Sequence, residues 1–357
     1  MKTDHLLIMR FSALGEVTML VPVVSSLASQ YPDLRITVLS RPFARPLFDG
    51  LAPNVGFMEA DLGGEYHGVK GLNALFRRLV AKNFTAIADM HNILRSSYLR
   101  MRFNLGHFRV EHIDKHRHER RLLTSQRDRH LSQLPSIFED YADVLGRLGY
   151  PVKLDYSSAF PPLGGSLRLL DGLVGDKKPF QQWIGLALFS QRKAKALPAS
   201  KTEKVIVELV RRHPSCRIFM FGGGAGEMEY INVFCNQFKN CINATAMMPS
   251  VQHEMILMSH LDVMVAIDGA NMHLASVVGT RVVSVWGATH PYAGFLGWGQ
   301  APSDCLQIDM PCRPCSIYGN RACLRGDYAC LNSINPMKIV EKIEEAIARP
   351  RVVNEKK

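Results

Sequence analysis

The chain has 357 residues, 47% of them hydrophobic, so it exceeds the length one core usually serves and holds apolar material for two. Its formal net charge of +11 favours anionic partners, whether nucleic acid, anionic lipid headgroups or a phosphorylated small molecule. Eight cysteines at this length exclude the dense lattice of a small secreted module and leave reduced thiols or a metal site, and no apolar run reaches the span of a bilayer.

Met1 to His5 leads into an apolar stretch already broken by Arg10, Ser12 and Glu16, so no secretory signal is read and a soluble, cytoplasmic protein is expected. Leu6 to Met9 reads as a strand, the small residues after it as a tight loop, and the segment through Ala28 as a helix. A second β-branched run spans Ile36 to Leu39 after the Tyr31-Pro32-Asp33 breaker, and Thr85 to Met90 is a strand with Asp89 near its end. Cations collect in Arg95, Arg100, Arg102 and the run Lys115 to Arg121, which suits either a solvated face or an anion-binding patch. Phe160 to Gly165 and Gly175 to Pro179 are turn-rich and mark a linker, which sets expected domains at 1–165 and 166–357.

The strand and helix alternation then restarts. Trp183 to Phe189 is a strand, Lys201 to Arg212 a helix, and Arg217 to Phe221 a strand that runs into the glycines at 222–226. Val263 to Ile267 is a strand ending at Asp268, Asn271 to Val278 a helix, Arg281 to Trp286 a strand, and Pro336 to Ala348 a closing helix with proline in its first turn. Both halves therefore predict α/β, doubly wound parallel sheets.

In such sheets ligands collect beyond the carboxyl ends of the strands. Ser12 to Glu16 is one such loop: its small residues let a ligand approach closely and a carboxylate is favoured at a helix start, the alternative being an ordinary helix-entry acid. The glycine run at 222–226 lacks the third glycine of a dinucleotide fingerprint, because Glu227 stands there, which disfavours a plain dehydrogenase. Glu227 or Glu229 would accept hydrogen bonds from a ribose, unless both are solvated surface acids. Asp268 to Ser276, followed by Trp286-Gly287-Ala288-Thr289, places an acid, small residues and a helix start where a diphosphate and a sugar would sit; Arg192, Lys193 and Lys195 supply cations at a neighbouring strand exit. Cys312 and Cys315 form a CxxC, followed by Cys323 and Cys330; four thiolates suit a structural zinc, with free thiols as the alternative, and catalysis needs neither.

Taken together, these segments resemble the lipopolysaccharide heptosyltransferase family, glycosyltransferase family 9, whose members transfer heptose from ADP-heptose. Four ordered features carry the resemblance: Leu7 to Val17 with Pro22, Asp89 to Arg95, Lys195-Ala196-Leu197-Pro198, and Asp268 to Ala275 with Trp286 to Thr289. The resemblance implies a GT-B architecture, two Rossmann-like domains facing across a cleft, with an inverting and metal-independent reaction. Carried over residue by residue, it makes Glu16 the catalytic base and Lys195 the donor-phosphate lysine. The donor site would draw on Ser190, Lys193, Lys195, Gly223, Glu227, Met248, Asp268, Gly269, Ala270, Asn271 and His273. The acceptor would meet Ser12, Arg77, Arg78, Asn92, Arg120 and Arg121.

The family usually has aspartate where this chain has Glu16, and a hydroxyl residue then glycine where it has Gly269 and Ala270. The implied partners are an ADP-sugar, an anionic glycolipid and the inner membrane surface, met peripherally, with no nucleic acid and no required cofactor. The rival readings are a GT-B transferase using another nucleotide-sugar, and a catalytically weakened sugar-nucleotide-binding protein; Glu16 is the residue that separates them.

Overall fold

The computed structural model describes residues 4–349; residues 1–3, where the reading of the opening begins, and 350–357 lie outside the described residues. The chain divides into two compact units, one of Met1–Lys115 and Pro135–Ser157, the other of His116–Leu134 and Ser158–Lys357. Among the described residues no helix is long and apolar enough to cross a membrane.

The first half of the chain runs β1 (His5–Met9), α1 (Leu14–Thr18), α2 (Leu20–Gln30), β2 (Arg35–Ser40), β3 (Val55–Glu59), α3 (Gly68–Val80), β4 (Ala86–Asp89), α4 (Leu94–Leu105), β5 (Arg109–His112), α5 (Arg117–Leu123) and α6 (Ile137–Arg147). All of these except α5 belong to the first unit. Its five strands are parallel, in the order β3-β2-β1-β4-β5. Leu6 to Met9 are wholly buried, as a parallel strand covered on both faces requires. The core on one side gathers Leu7, Met9, Leu39, Leu75, Ile87 and Phe103. The α6 start is closed by a reciprocal cap, in which Glu139 N donates to Ser136 Oγ (3.2 Å) and Ser136 N to Glu139 Oε2 (2.7 Å). The single helix expected through Ala28 is two helices meeting at Met19.

The second unit continues with β6 (Trp183–Ala187), α7 (Ala199–Arg212), β7 (Arg217–Met220), α8 (Ala225–Gln237), β8 (Cys241–Asn243), α9 (Ala244–Met247), α10 (Val251–Ser259), β9 (Val263–Ile267), α11 (Ala270–Val277), β10 (Val282–Val285), β11 (Cys305–Leu306), α12 (Ala329–Asn332) and α13 (Pro336–Ala348). Its six strands, also parallel, lie in the order β11-β10-β9-β6-β7-β8. In chain order that is the 3-2-1-4-5-6 arrangement of nucleotide-binding sheets. Ile184, Leu186, Ile218, Val265, Val283, Val340 and Ile343 share one buried cluster, so α13 packs on the sheet it closes.

Each sheet has one place where the winding direction reverses, between β1 and β4 in the first unit and between β6 and β9 in the second. The loops leaving those two strands diverge to opposite faces and open a crevice at the carboxyl edge.

Candidate functional site

At the reversal point of the first sheet the exit of β1 supplies Arg10, Ser12 and Glu16, and the exit of β4 supplies Asp89, His91 and Asn92. Arg10 is 3% exposed and bridges the two loops, its Nη1 donating to Met90 O (2.5 Å) and its Nη2 lying 2.6 Å from Glu16 Oε2. Ala13 N donates to the same carboxylate oxygen (3.3 Å). Glu16 Oε1 carries no hydrogen bond among the described residues, and the side chain is 26% exposed. Burial pushes the Glu16 carboxyl up, but the Arg10 charge and the hydrogen bonds from Ala13 and Arg10 outweigh it and hold the group below the usual carboxylate range. The result is an acid ionised at neutral pH, with one oxygen tethered and the other open.

His91 stands beside this pair. Burial and the nearby charges of Arg10 and Lys115 push its pKa down to about 3, so the ring is neutral. Phe11 N donates to Nδ1 (3.3 Å), which places the ring proton on Nε2, 3.4 Å from Ser12 Oγ. Asp89 is fully buried; its Oδ1 accepts from His91 N (3.0 Å) and Asn92 N (2.9 Å), and its Oδ2 faces Arg100 Nη1 at 3.1 Å. Asn92 has φ +48°, a left-handed conformation that asparagine tolerates, and its amide is engaged with Ile113 O and Arg100.

The structure thus brings Ser12, Glu16 and Asn92 together, and adds Arg10, His91 and Tyr141, whose hydroxyl donates to Glu16 O (3.1 Å). Arg77 and Arg78 lie elsewhere, exposed in the last turn of α3, where a crossover helix has returned toward the amino edge of the sheet. Arg78 donates to the Tyr66 hydroxyl.

The reversal point of the second sheet is spanned by an ion pair, Lys195 Nζ to Asp268 Oδ2 at 2.8 Å, with side chains 12% and 8% exposed. Gly269 precedes α11 without a side-chain cap, so the first N–H groups of that helix, at Ala270 and Asn271, have no acceptor from the cap residue. His273 is buried in α11. Glu227 joins the two neighbouring exits, Oε1 accepting from Gln191 N (3.1 Å) and Oε2 from Gly223 N (3.0 Å). Ser190 Oγ accepts from Arg192 N (3.1 Å), Lys193 is exposed, and Met248 is buried just after α9. Glu254 on α10 is a further acid here, its pKa raised by burial against a hydrogen bond from Thr245, whose Oγ1 also takes Gly222 N–H (3.2 Å).

Arg120 belongs to the second unit and is 8% exposed, its Nη1 donating to the Tyr318 hydroxyl (2.8 Å) and its guanidinium 5.1 Å from the Phe295 ring centroid. Its Nη1 is engaged inside the protein while its buried Nε has no hydrogen-bond partner among the described residues, and Arg121 is exposed.

Cys312, Cys315, Cys323 and Cys330 all line one cavity, together with Arg313. Among the described residues, however, no group of three or more His, Cys, Asp and Glu is placed to hold a metal ion, so the four thiols are not assembled as the ligand set that zinc would need. Arg313 occupies the middle of the CxxC, buried, donating to the carbonyls of Gly287 (2.5 Å), Ile308 (2.5 Å) and Thr289 (2.9 Å). Burial pushes the Cys330 thiol up to about 11 and raises Cys315 as well, so both carry their protons at neutral pH.

The sequence profile described as glycosyltransferase family 9 (heptosyltransferase) matches residues 72–322. The chain belongs to glycosyltransferase family 9. The matched span contains Asp89, Lys195 and Asp268, while Glu16 precedes it.

Lipooligosaccharide heptosyltransferase 2 of Campylobacter jejuni is 24% identical over 159 residues, 43% of this chain and 47% of that protein, so the match spans about half the relative's length. A family 9 glycosyl transferase from Veillonella parvula has a similar structure, with TM-score 0.71 and 16% identity over 97% of this chain and 98% of that one. The E. coli heptosyltransferase WaaC with ADP gives TM-score 0.66 and 16% identity over 96% and 99% of the two chains. At these identities the likeness shows the GT-B fold, which agrees with the two parallel sheets of this family 9 chain.

Proposed function

We propose that the chain is an inverting glycosyltransferase that moves a heptose or related sugar from an ADP-sugar to a lipopolysaccharide core or other lipid-linked glycan, without a divalent metal. The observation that carries this reading is Glu16, an acid kept ionised by a buried arginine with one oxygen open at the reversal point of its sheet. The family supplies the reaction class, and E. coli WaaC structures carry ADP and ADP-2-deoxy-2-fluoro heptose.

In the proposed reaction Glu16 Oε1 takes the proton of an acceptor hydroxyl as that oxygen bonds to the anomeric carbon. The bond from that carbon to the diphosphate breaks on the opposite face, which inverts the centre. Negative charge then grows on the departing ADP, where Lys195 and the open N–H groups of α11 stabilise it. Their fixed positive field takes the role a divalent ion would otherwise fill. Exposed Lys70, Arg77, Arg78 and Arg121 are cations that would meet an anionic inner-membrane surface.

Thermal denaturation with ADP, UDP and GDP in the presence of a chelator tests the donor assignment. ADP is expected to raise the melting temperature, by about 2.7 kcal/mol of stabilisation at a hundredfold excess over its dissociation constant. A rise that vanishes in chelator and returns only with magnesium or manganese would remove metal independence. A rise with UDP or GDP alone would replace the nucleotide.

The Arg10 clamp predicts a pH effect. With Arg10→Gln the burial of Glu16 remains while the opposing charge is gone, so the carboxyl rises above its usual range. The base must be ionised, so the acidic limb of kcat/KM moves to higher pH; Arg10→Lys, which keeps the charge, moves it less. Identical limbs in parent and Arg10→Gln would detach Arg10 from the base.

A further inference from the structure

We propose that the Tyr318–Gly319 turn is a positioning element for Lys195, and that Gly319 is glycine because the lysine stem occupies the space of its side chain. This rests on the reading of Lys195 as the donor-phosphate cation. A lysine has four rotatable bonds, so an ammonium held at one point in a crevice needs walls along its stem as well as a partner at its tip. Asp268 supplies the tip contact at 2.8 Å. Gly319 supplies the wall: a Cβ built there would stand 2.5 Å from Lys195 Cδ and closer still to Cγ.

The turn is itself fixed from several sides. Tyr318 O accepts from Arg192 Nη1, and Lys195 N donates to Arg192 O (2.8 Å), so the turn holds the start of a loop that is closed on itself at the lysine. The Tyr318 hydroxyl takes Arg120 Nη1, and its ring lies 5.7 Å from that of Phe295. Asn320 N donates to Ser316 Oγ (3.2 Å), and Ser316 N donates to Ala288 O (3.3 Å), just after β10. Arg120 thereby bears on the donor lysine through Tyr318.

Gly319 also has φ +68°, so a substitution there carries backbone strain as well as the collision. Two comparisons separate the effects. Gly326 has φ +79° and nothing within 4 Å of a built Cβ, so Gly326→Ala bears the strain alone. Gly319→Asn presents the Cβ with a residue that tolerates positive φ, and serves if Gly319→Ala fails to fold.

The experiment labels the folded variants with an amine-reactive reagent, reads Lys195 by peptide mass spectrometry, and measures transfer in parallel. Gly319→Ala and Gly319→Asn are expected to raise the labelling of Lys195, freed from Asp268, and to lower kcat/KM by about 10- to 100-fold, the scale of an ångström-sized misplacement. Gly326→Ala should match the parent in both. In a Lys195→Ala background Gly319→Ala should add no further loss, because it acts through the missing side chain. Unchanged labelling, or an equal loss of transfer in both backgrounds, overturns the positioning role. Raised labelling with transfer unaffected by either Gly319→Ala or Lys195→Ala would instead overturn the reading of Lys195, and with it the catalytic meaning of the turn.

Discussion

Glu16→Gln is expected to lower sugar transfer by about 100- to 10,000-fold, the usual contribution of a general base, while ADP affinity stays near that of the parent. The amide keeps the length and shape of the side chain but cannot take a proton, and Glu16 lies in the first unit while the proposed nucleotide residues lie in the second. Arg10 would lose its ionic partner, so a modest fall in melting temperature is expected; single-turnover rates on folded protein separate that from the chemical loss. Glu16→Asp tests the position of the acid. The shorter chain must give up its 2.6 Å contact with Arg10 or draw its open oxygen back from the acceptor, so transfer should fall if the loop is fitted to glutamate. It should rise if glutamate is a handicap on a loop suited to aspartate. Transfer at the parent rate by Glu16→Gln, with a competent acceptor, would make the opening loop structural.

Much of this architecture was legible because parallel strands buried on both faces read as apolar runs. Val263–Ile267 and Pro336–Ala348 are found at the expected bounds. The strands that sequence reading passed over are marginal in composition or length: Val55–Glu59 contains a glycine and half-exposed positions, Arg109–His112 is mostly polar, Cys241–Asn243 is three residues long and Cys305–Leu306 two. Their pairing is set by the neighbouring strands, which local patterning does not record. Asp268 and Lys195 were visible as single residues at separate strand exits. That they form one ion pair follows from strand order, with β6 beside β9 although Lys195 and Asp268 lie 73 positions apart in the chain.

Arg10 and Arg120 show the limit more sharply. Both are arginines in a basic chain, and sequence alone favours solvent or an anionic ligand for such residues. Burial to 3% and 8% gives them internal partners instead, a carboxylate for one and aromatic rings for the other. The cysteine cluster is a different case. Spacing left zinc and free thiols open, and folding brings the four residues to one cavity that Arg313 also lines.

Lys195→Ala is expected to reduce kcat by about 100- to 1,000-fold, the cost of removing one fixed group that stabilises transition-state charge. Donor affinity should also weaken, because the same ammonium faces the diphosphate before the bond breaks. The variant carries a second effect that must be told apart from the first. Asp268 has its side chain 8% exposed and would lose its cation, and breaking such a buried pair from one side costs about 3–5 kcal/mol. Lys195→Ala should therefore melt earlier than the parent. Adding Asp268→Asn removes the unpaired acid and should recover much of that stability, since a neutral amide keeps the shape of the carboxylate. Transfer should not recover with it, because the positive field at the leaving group is still missing. If the double variant regains both stability and transfer, the ion pair is a structural contact and the leaving-group cation must be sought elsewhere in the second unit.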